Sequence, residues 1–201
     1  MTPTLLDVVD GLMLGDAWLE VNANSEGRLC LEQIPERGDW LDMVESIFDS
    51  EGVTCSRQHR PPRQARIKGR EFISKGSIVL RTGKYQPFTE QRSRWYVEGK
   101  KRVPLDVRLT PQSLAHWFWG DGCTGNNGYR MVFHTDGFNE SDVDLLQGKL
   151  RSTFGWEATK QERRKGVFTL ALSESEFRRD LVGQIRPYCP PCFAYKLNIK
   201  E

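Results

Sequence analysis

Leu5, Val8, Val9, Leu12 and Met13 recur at intervals of three and four, which predicts a helix over residues 4–16. The period then changes to two. Residues 18–22 and 28–32 alternate apolar with polar or small side chains, and Asn24, Ser25, Glu26 and Gly27 supply the turn of a hairpin between them. Helical spacing returns over residues 38–52 through Trp40, Leu41, Val44, Ile47 and Phe48, with Gly52 where a C-terminal cap belongs. Two more strands are predicted near residues 53–58 and 77–82, flanking a basic stretch broken by Pro61 and Pro62, and a short helix near 89–96 follows. From Thr110 the order begins again, with a threonine N-cap and Pro111 in the first helical turn. Strands near 127–135, a helix over 141–154, strands near 156–161 and 167–172 and a last helix over 175–185 complete it. The fold class is therefore α+β, built from two pseudo-symmetric αββαββα repeats, residues 1–105 and 106–201. Duplication of an α+β unit does not by itself name a function.

Composition narrows the class without deciding it. A chain of 201 residues can bury one sizeable core or two small fused ones, and 38% apolar with 28% charged residues suits a folded protein with no membrane-spanning helix. The apolar run from Leu5 to Leu14 lacks a basic flank and contains Asp7 and Asp10, so it reads as mature structure rather than a signal peptide. Net charge is only +2, but its distribution is uneven. Between Arg57 and Lys84 stand Arg57, Arg60, Arg63, Arg66, Lys68, Arg70, Lys75, Arg81 and Lys84 against the single acid Glu71, a stretch fit either to track phosphates or to form a solvated loop. Five scattered cysteines fit reduced thiols in an intracellular protein of the cytoplasm or an organelle matrix. Cys189 and Cys192 have the spacing of half a zinc site, with no second pair nearby to complete four ligands.

Both repeats open with a helix that ends in Gly-Asp: Val9-Asp10-Gly11-Leu12-Met13-Leu14-Gly15-Asp16-Ala17, and Leu114-Ala115-His116-Trp117-Phe118-Trp119-Gly120-Asp121-Gly122. Small residues at a helix crossing let two backbones approach, and Gly11, Gly15 and Gly120 supply them. A helix C-terminus already carries partial negative charge, so an aspartate added at each end makes a site that repels itself until a cation is bound.

These two segments resemble the paired motifs of LAGLIDADG homing endonucleases. Lys100-Lys101-Arg102-Val103-Pro104, Leu109-Thr110-Pro111, Pro187-Tyr188 and Tyr195-Lys196-Leu197 extend the resemblance over nearly the whole chain. It implies the two motif helices packed together at the centre and two antiparallel β-saddles over duplex DNA. It also implies Asp16 and Asp121 as ligands of Mg²⁺, with Mn²⁺ able to substitute, joined by the carbonyls of Gly15 and Gly120. The implied reaction is in-line attack of water on one phosphodiester in each strand. Gln33 would place the attacking water, with His134 or Thr135 in the matching place of the second repeat. Lys196, and Lys101 or Lys100, would approach the phosphate. The chain departs from the family pattern at Asp10, where a small residue is usual, at Ala17 in place of the final glycine, and at His116, which reads as a packed histidine.

If Leu19, Val21, Leu29 and Leu31 face a core, alternation turns Trp18, Glu20, Asn22, Arg28, Cys30 and Glu32 to the opposite face, where they could meet base edges. Arg57, Arg66, Arg70 and Arg81 join them as DNA contacts in the first repeat. In the second the candidates are Asn127, Arg130 and His134 for bases and Lys160, Arg163, Arg164 and Lys165 for phosphate. Because the halves differ, one chain would read a long, partly asymmetric site as a monomer. Two other readings remain: a maturase that keeps the saddle and binds intron RNA, and a duplicated interaction module with no nucleic-acid role.

Overall fold

The computed structural model of the chain describes residues 1–22, 26–67, 70–125 and 128–198. Its elements follow the predicted order. They are α1 (Pro3–Leu14), β1 (Trp18–Val21), β2 (Gly27–Gln33), α2 (Gly38–Ser50), β3 (Cys55–Arg60), β4 (Gln64–Ile67), β5 (Arg70–Ile73), β6 (Ser77–Thr82) and α3 (Gln86–Trp95), then β7 (Tyr96–Val97) and β8 (Lys100–Lys101). The second round is α4 (Pro111–Asp121), β9 (Gly122–Gly125), β10 (Arg130–His134), α5 (Glu140–Phe154), β11 (Thr159–Arg164), β12 (Val167–Leu172) and α6 (Ser175–Ile185). One strand, β9, starts directly after α4, ahead of the strands expected near 127–135, and two further departures are additions. The proline-broken basic stretch folds as its own hairpin, β4 with β5, and a two-residue hairpin, β7 with β8, leads into the second round. Of the turn expected over 24–27, residues 24 and 25 lie outside the described residues.

The helix starts have identifiable causes. Thr2 accepts from the Leu5 amide with Pro3 in the first turn of α1. Thr110 and Ser113 form a reciprocal capping box over Pro111 in α4, satisfying two amides that the helix leaves without partners. Asn139 caps α5, which ends at Gly155 with φ +74°.

By contact the chain divides into two compact units. The first holds residues 1–16, 91–189 and 193–201; the second holds 17–90 and 190–192. In the second unit the sheet runs β1-β2-β6-β3, all antiparallel, and buries Leu19, Leu29, Leu31, Ile78 and Leu80 with Trp40, Leu41, Val44 and Phe48 of α2. Val21, expected in that core, is 46% exposed because it closes an edge strand opposite Gly27, which offers no side chain to cover it. In the first unit the sheet runs β11-β12-β10-β9, and Phe133, Leu170 and Leu172 pack with Trp117 and Phe118 of α4 and with α5. α1 lies along α4 in the same unit, with Val8, Val9, Leu12 and Met13 fully buried.

One charged group is buried among these apolar side chains. Asp10 is closed from solvent and receives both guanidinium nitrogens of Arg94, one at 3.0 Å, together with the Arg108 amide at 2.9 Å. Arg94 also reaches Asp106, and Arg108 pairs with Asp7 at 3.1 Å. The aspartate that departs from the motif is thus neutralised by a network built for it.

Candidate functional site

The crossing of α1 and α4 is as close as their glycines allow. A Cβ placed on Gly11 would lie 2.7 Å from the Ser113 Cα and 2.9 Å from the His116 Cβ. A Cβ on Gly120 would come within 3.1 Å of the Asp16 amide nitrogen and 3.6 Å of the Asp16 carboxylate, and one on Gly15 within 3.7 Å of the Asp121 amide. Asp16 and Asp121 are therefore brought together where the two helices end. His116 fills the crossing as a fully enclosed imidazole, which burial lowers to about 4.

The two carboxylates feel each other. Asp121, half-buried, is pushed up to about 6 by burial first and by the Asp16 charge second, against the pull of Lys101 and Lys196. Lys101, on β8, donates to the Gly15 carbonyl at 3.1 Å; withdrawal of its ammonium from water lowers it to about 8, opposed by Asp121 and Asp16. Lys196 is 4% exposed and donates to the carbonyls of Phe118 (3.0 Å), Trp119 (2.8 Å) and Gly122 (2.6 Å). A pair of carboxylates at 16 and 121 with carbonyl oxygens beside them is a hard-oxygen donor set, and its mutual repulsion is what a divalent cation relieves. Among the described residues no group of three or more histidine, cysteine or acidic side chains converges as a metal cluster, so carbonyl and water oxygens would complete the shell.

The strand registers settle which residues correspond between repeats. Trp18, two past Asp16, pairs with Cys30, and Cys123, two past Asp121, pairs with Val132. Counting on, Gln33 corresponds to Thr135, and Glu32 to His134. Gln33 is 5% exposed and accepts from Arg37 Nη1 at 2.8 Å; Thr135 is buried and donates to the Phe168 carbonyl at 2.6 Å. His134 sits between the Cys123 sulfur, 3.3 Å from Nε2, and Arg163 Nη1, 3.0 Å from Nδ1. Burial and then the Arg163 charge lower it, and because a guanidinium can only donate, Nδ1 accepts from Arg163.

Each sheet has a face turned away from its helix. On the first, register groups Trp18, Glu20, Arg28, Cys30, Glu32, Ser77, Arg81, Ser56, Gln58 and Arg60. These pair among themselves: Trp18 and Arg28 with Glu20, Arg60 with both oxygens of Glu32, Arg81 with Gln58 at 2.6 Å. Gln58 and Arg60 were not singled out as base readers from the sequence; alternation along β3 was the available signal. Asn22 is bonded within its turn to Glu26. Cys30 belongs to this face but is fully covered, its thiol pushed up to about 11 by burial and the Glu20 charge, so it offers DNA no contact. On the second sheet the corresponding face carries Arg130, His134, Gln161 and Arg163 around Val132, Thr169 and Ala171, which are buried.

Two expected DNA contacts lie on the opposite, helix-covered side. Arg57 pairs across from Leu80 and is held by Asp42 (2.6 Å) and Glu45 (2.5 Å) of α2. Lys160 pairs across from Leu170 and is held by Glu140 (3.0 Å) and Asp144 (2.5 Å) of α5. In both edge strands the basic residue falls on the parity that faces the helix, and two acids of that helix neutralise it. Arg66 and Arg70 stand in β4 and β5, with their side chains outside the described residues, and Asn127 lies outside them altogether. Arg164 is exposed beside Asp136.

The sequence profile of the LAGLIDADG DNA endonuclease family matches residues 6–179. An uncharacterised protein of Methanocaldococcus jannaschii is 30% identical over 196 residues, covering 94% of this chain and 72% of that protein. The cytochrome b mRNA maturase bI2 of Debaryomyces hansenii is 29% identical, covering 96% and 73%. Among solved structures, the homing endonuclease I-WcaI bound to its DNA recognition sequence superposes with TM-score 0.81 at 20% identity, over 100% of this chain and 88% of that one. The homing endonuclease I-DmoI in complex with DNA and Ca gives TM-score 0.51 at 13% identity, over 90% and 88%.

Proposed function

The chain belongs to the LAGLIDADG DNA endonuclease family, and from that premise we propose that it is a homing endonuclease that cuts both strands of a long, partly asymmetric DNA site as a monomer of two repeats, residues 1–105 and 106–201. The observation that carries this reading is the meeting of Asp16 and Asp121 at the glycine-lined ends of α1 and α4. Asp16 and Asp121, with the carbonyls of Gly15 and Gly120, would hold Mg²⁺ or Mn²⁺. A bound divalent ion there supplies Lewis acidity toward the phosphodiester and the leaving 3′-oxygen.

The chain's own residues do the rest. Asp121 carries its negative charge for cation binding above about pH 6, where it has released its proton. Lys101, cationic below about pH 8, brings positive charge toward the scissile phosphate. Gln33, already held by Arg37, orients the attacking water in the first repeat. Thr135, its counterpart, is committed to the Phe168 carbonyl, so water placement in the second repeat falls to His134. Base edges are read from the open face of each sheet: Trp18, Glu20, Asn22, Arg28, Gln58, Arg60 and Arg81 on the first, and Arg130, His134 and Arg163 on the second. Arginine and glutamine are suited to bidentate contacts with guanine and adenine.

Selection of cleaved sites from a randomised duplex library with Mg²⁺ tests this reading. Recovery of one long preferred site, lost with EDTA and with Asp16→Asn or Asp121→Asn, is the expected result. Salt-sensitive DNA retention with no cut in either strand would refute it. The likeness to a maturase along 96% of the chain favours a second reading, in which the same faces hold intron RNA. Tighter binding of structured intron RNA than of any selected duplex would favour that one.

A further inference from the structure

An ammonium group has three N–H donors, and in Lys196 all three have a backbone carbonyl within reach: Phe118, Trp119 and Gly122, at 3.0, 2.8 and 2.6 Å. They surround the end of α4: the Phe118 carbonyl also accepts the closing bond of the helix from the Gly122 amide, the Trp119 carbonyl belongs to the last turn, whose carbonyls a helix leaves without following amides, and the Gly122 carbonyl opens β9. The other side of the ammonium is occupied by aromatic rings, Phe193 at 4.7 Å and Phe118 at 5.6 Å from their centroids. Its own backbone carbonyl receives the Thr124 hydroxyl, which ties β9 to the segment that carries the lysine. Trp119 is held on the same side by its indole N–H on the Tyr188 carbonyl at 3.1 Å and by stacking on Phe193. Asp121 lies between the second and third of the carbonyls that Lys196 gathers.

We infer that Lys196 is a positioning residue: it acts as the C-terminal cap of α4 that aims Asp121, and it does not touch the reacting phosphate or water. To donate to a phosphate oxygen it would have to leave a capping carbonyl and move away from the Phe193 and Phe118 rings. Its sequence position had suggested the same role as Lys101, which donates to the Gly15 carbonyl in the first motif. This inference rests on the endonuclease reading only for where Asp121 is aimed; the capping role is independent of it.

The test uses the full-length chain with Lys196→Met, Lys196→Arg and Lys101→Met, measuring single-turnover cleavage of the selected duplex against pH, duplex affinity, and Mn²⁺ binding without DNA. For Lys196→Met the cleavage rate per folded molecule is expected to drop about a hundredfold, the cost of a misplaced reacting group. Duplex affinity and the shape of the pH profile should stay as in the parent, while Mn²⁺ binds several-fold more weakly. Lys196→Arg keeps the charge but presents a planar fork to three converging carbonyls, so it should not rescue the rate, and it remains informative if the methionine variant does not fold. A pH profile changed in the same way as by Lys101→Met, with Mn²⁺ affinity intact, would show Lys196 acting on the reacting atoms and overturn the inference; so would full activity of either Lys196 variant. If the parent binds Mn²⁺ but cuts nothing, the endonuclease reading falls, and Mn²⁺ binding alone still decides the role of Lys196.

Discussion

α1 stops being helical at Leu14, two residues before Asp16, whereas α4 stays helical through Asp121. Asp16 consequently sits exposed on a non-helical turn, and Asp121 is half-buried on the last helical residue, raised by enclosure and by its neighbour. The two motifs match in sequence and meet at one seam, yet one aspartate is placed by a glycine turn and the other by a capped helix. The difference teaches that the site's two halves are supported by separate means, so substitutions in the supports, unlike those of the aspartates themselves, should separate into unequal effects.

The largest effect expected is on catalysis. Asp16→Asn and Asp121→Asn should each lower double-strand cutting by about a thousandfold or more, with duplex affinity little changed, since each removes charge where the proposed cation would be held. A quantitative plasmid-linearisation assay checks both. Packing comes next. Gly11→Ala sets a methyl against the Ser113 backbone and should destabilise by about 3 kcal/mol or more; Gly120→Ala, against the Asp16 amide, should cost less, and Gly15→Ala least. Chemical denaturation of the three variants would break the comparison if the order reversed.

A third expectation concerns pH. The folded value of Asp121 lies above its ordinary 3.8, so its contribution favours folding at low pH and is lost as pH rises through about 6. Without metal, Asp121→Asn should therefore raise the stability at pH 8 by about 1–2 kcal/mol, roughly 2–8 °C in Tm, and have little effect at pH 4. Calorimetry at both pH values distinguishes this from a general stabilisation. The smallest effects belong to the edge strands. Arg57→Met and Lys160→Met should change duplex affinity less than twofold, because both face helix acids, whereas Arg81→Met and Arg163→Met should each weaken it by about tenfold. Binding titrations at fixed salt settle the contrast.

Much of this was legible in the amino-acid order. Helical and alternating periods located α1, α2, α4, α5, α6 and both main sheets within a few residues, because one face of each is buried. The β4–β5 hairpin was hidden in the basic stretch, where neither alternation nor a core face marks a strand. Asp16, Asp121 and the close glycines could be read from the repeated Gly-Asp, whose chemistry depends on local helix geometry. That Arg57 and Lys160 lie on the helix-covered side follows from parity along β3 and β11, which a reading of charge as a stretch does not register. That Cys30 is covered, and that Lys196 spends its donors on α4, depends on neighbours distant in sequence, which no local pattern reports.

The enclosed carboxylate of Asp10 has a consequence for dissecting the protein. Its partners, Arg94 and the Arg108 amide, stand on either side of the boundary between residues 105 and 106. A fragment severed there would keep the Asp10–Arg94 pair but lose the Arg108 amide, leaving a buried carboxylate oxygen one donor short until the two pieces are mixed. Complementation between separately purified pieces is thus a direct gauge of how far each piece depends on the other for its fold.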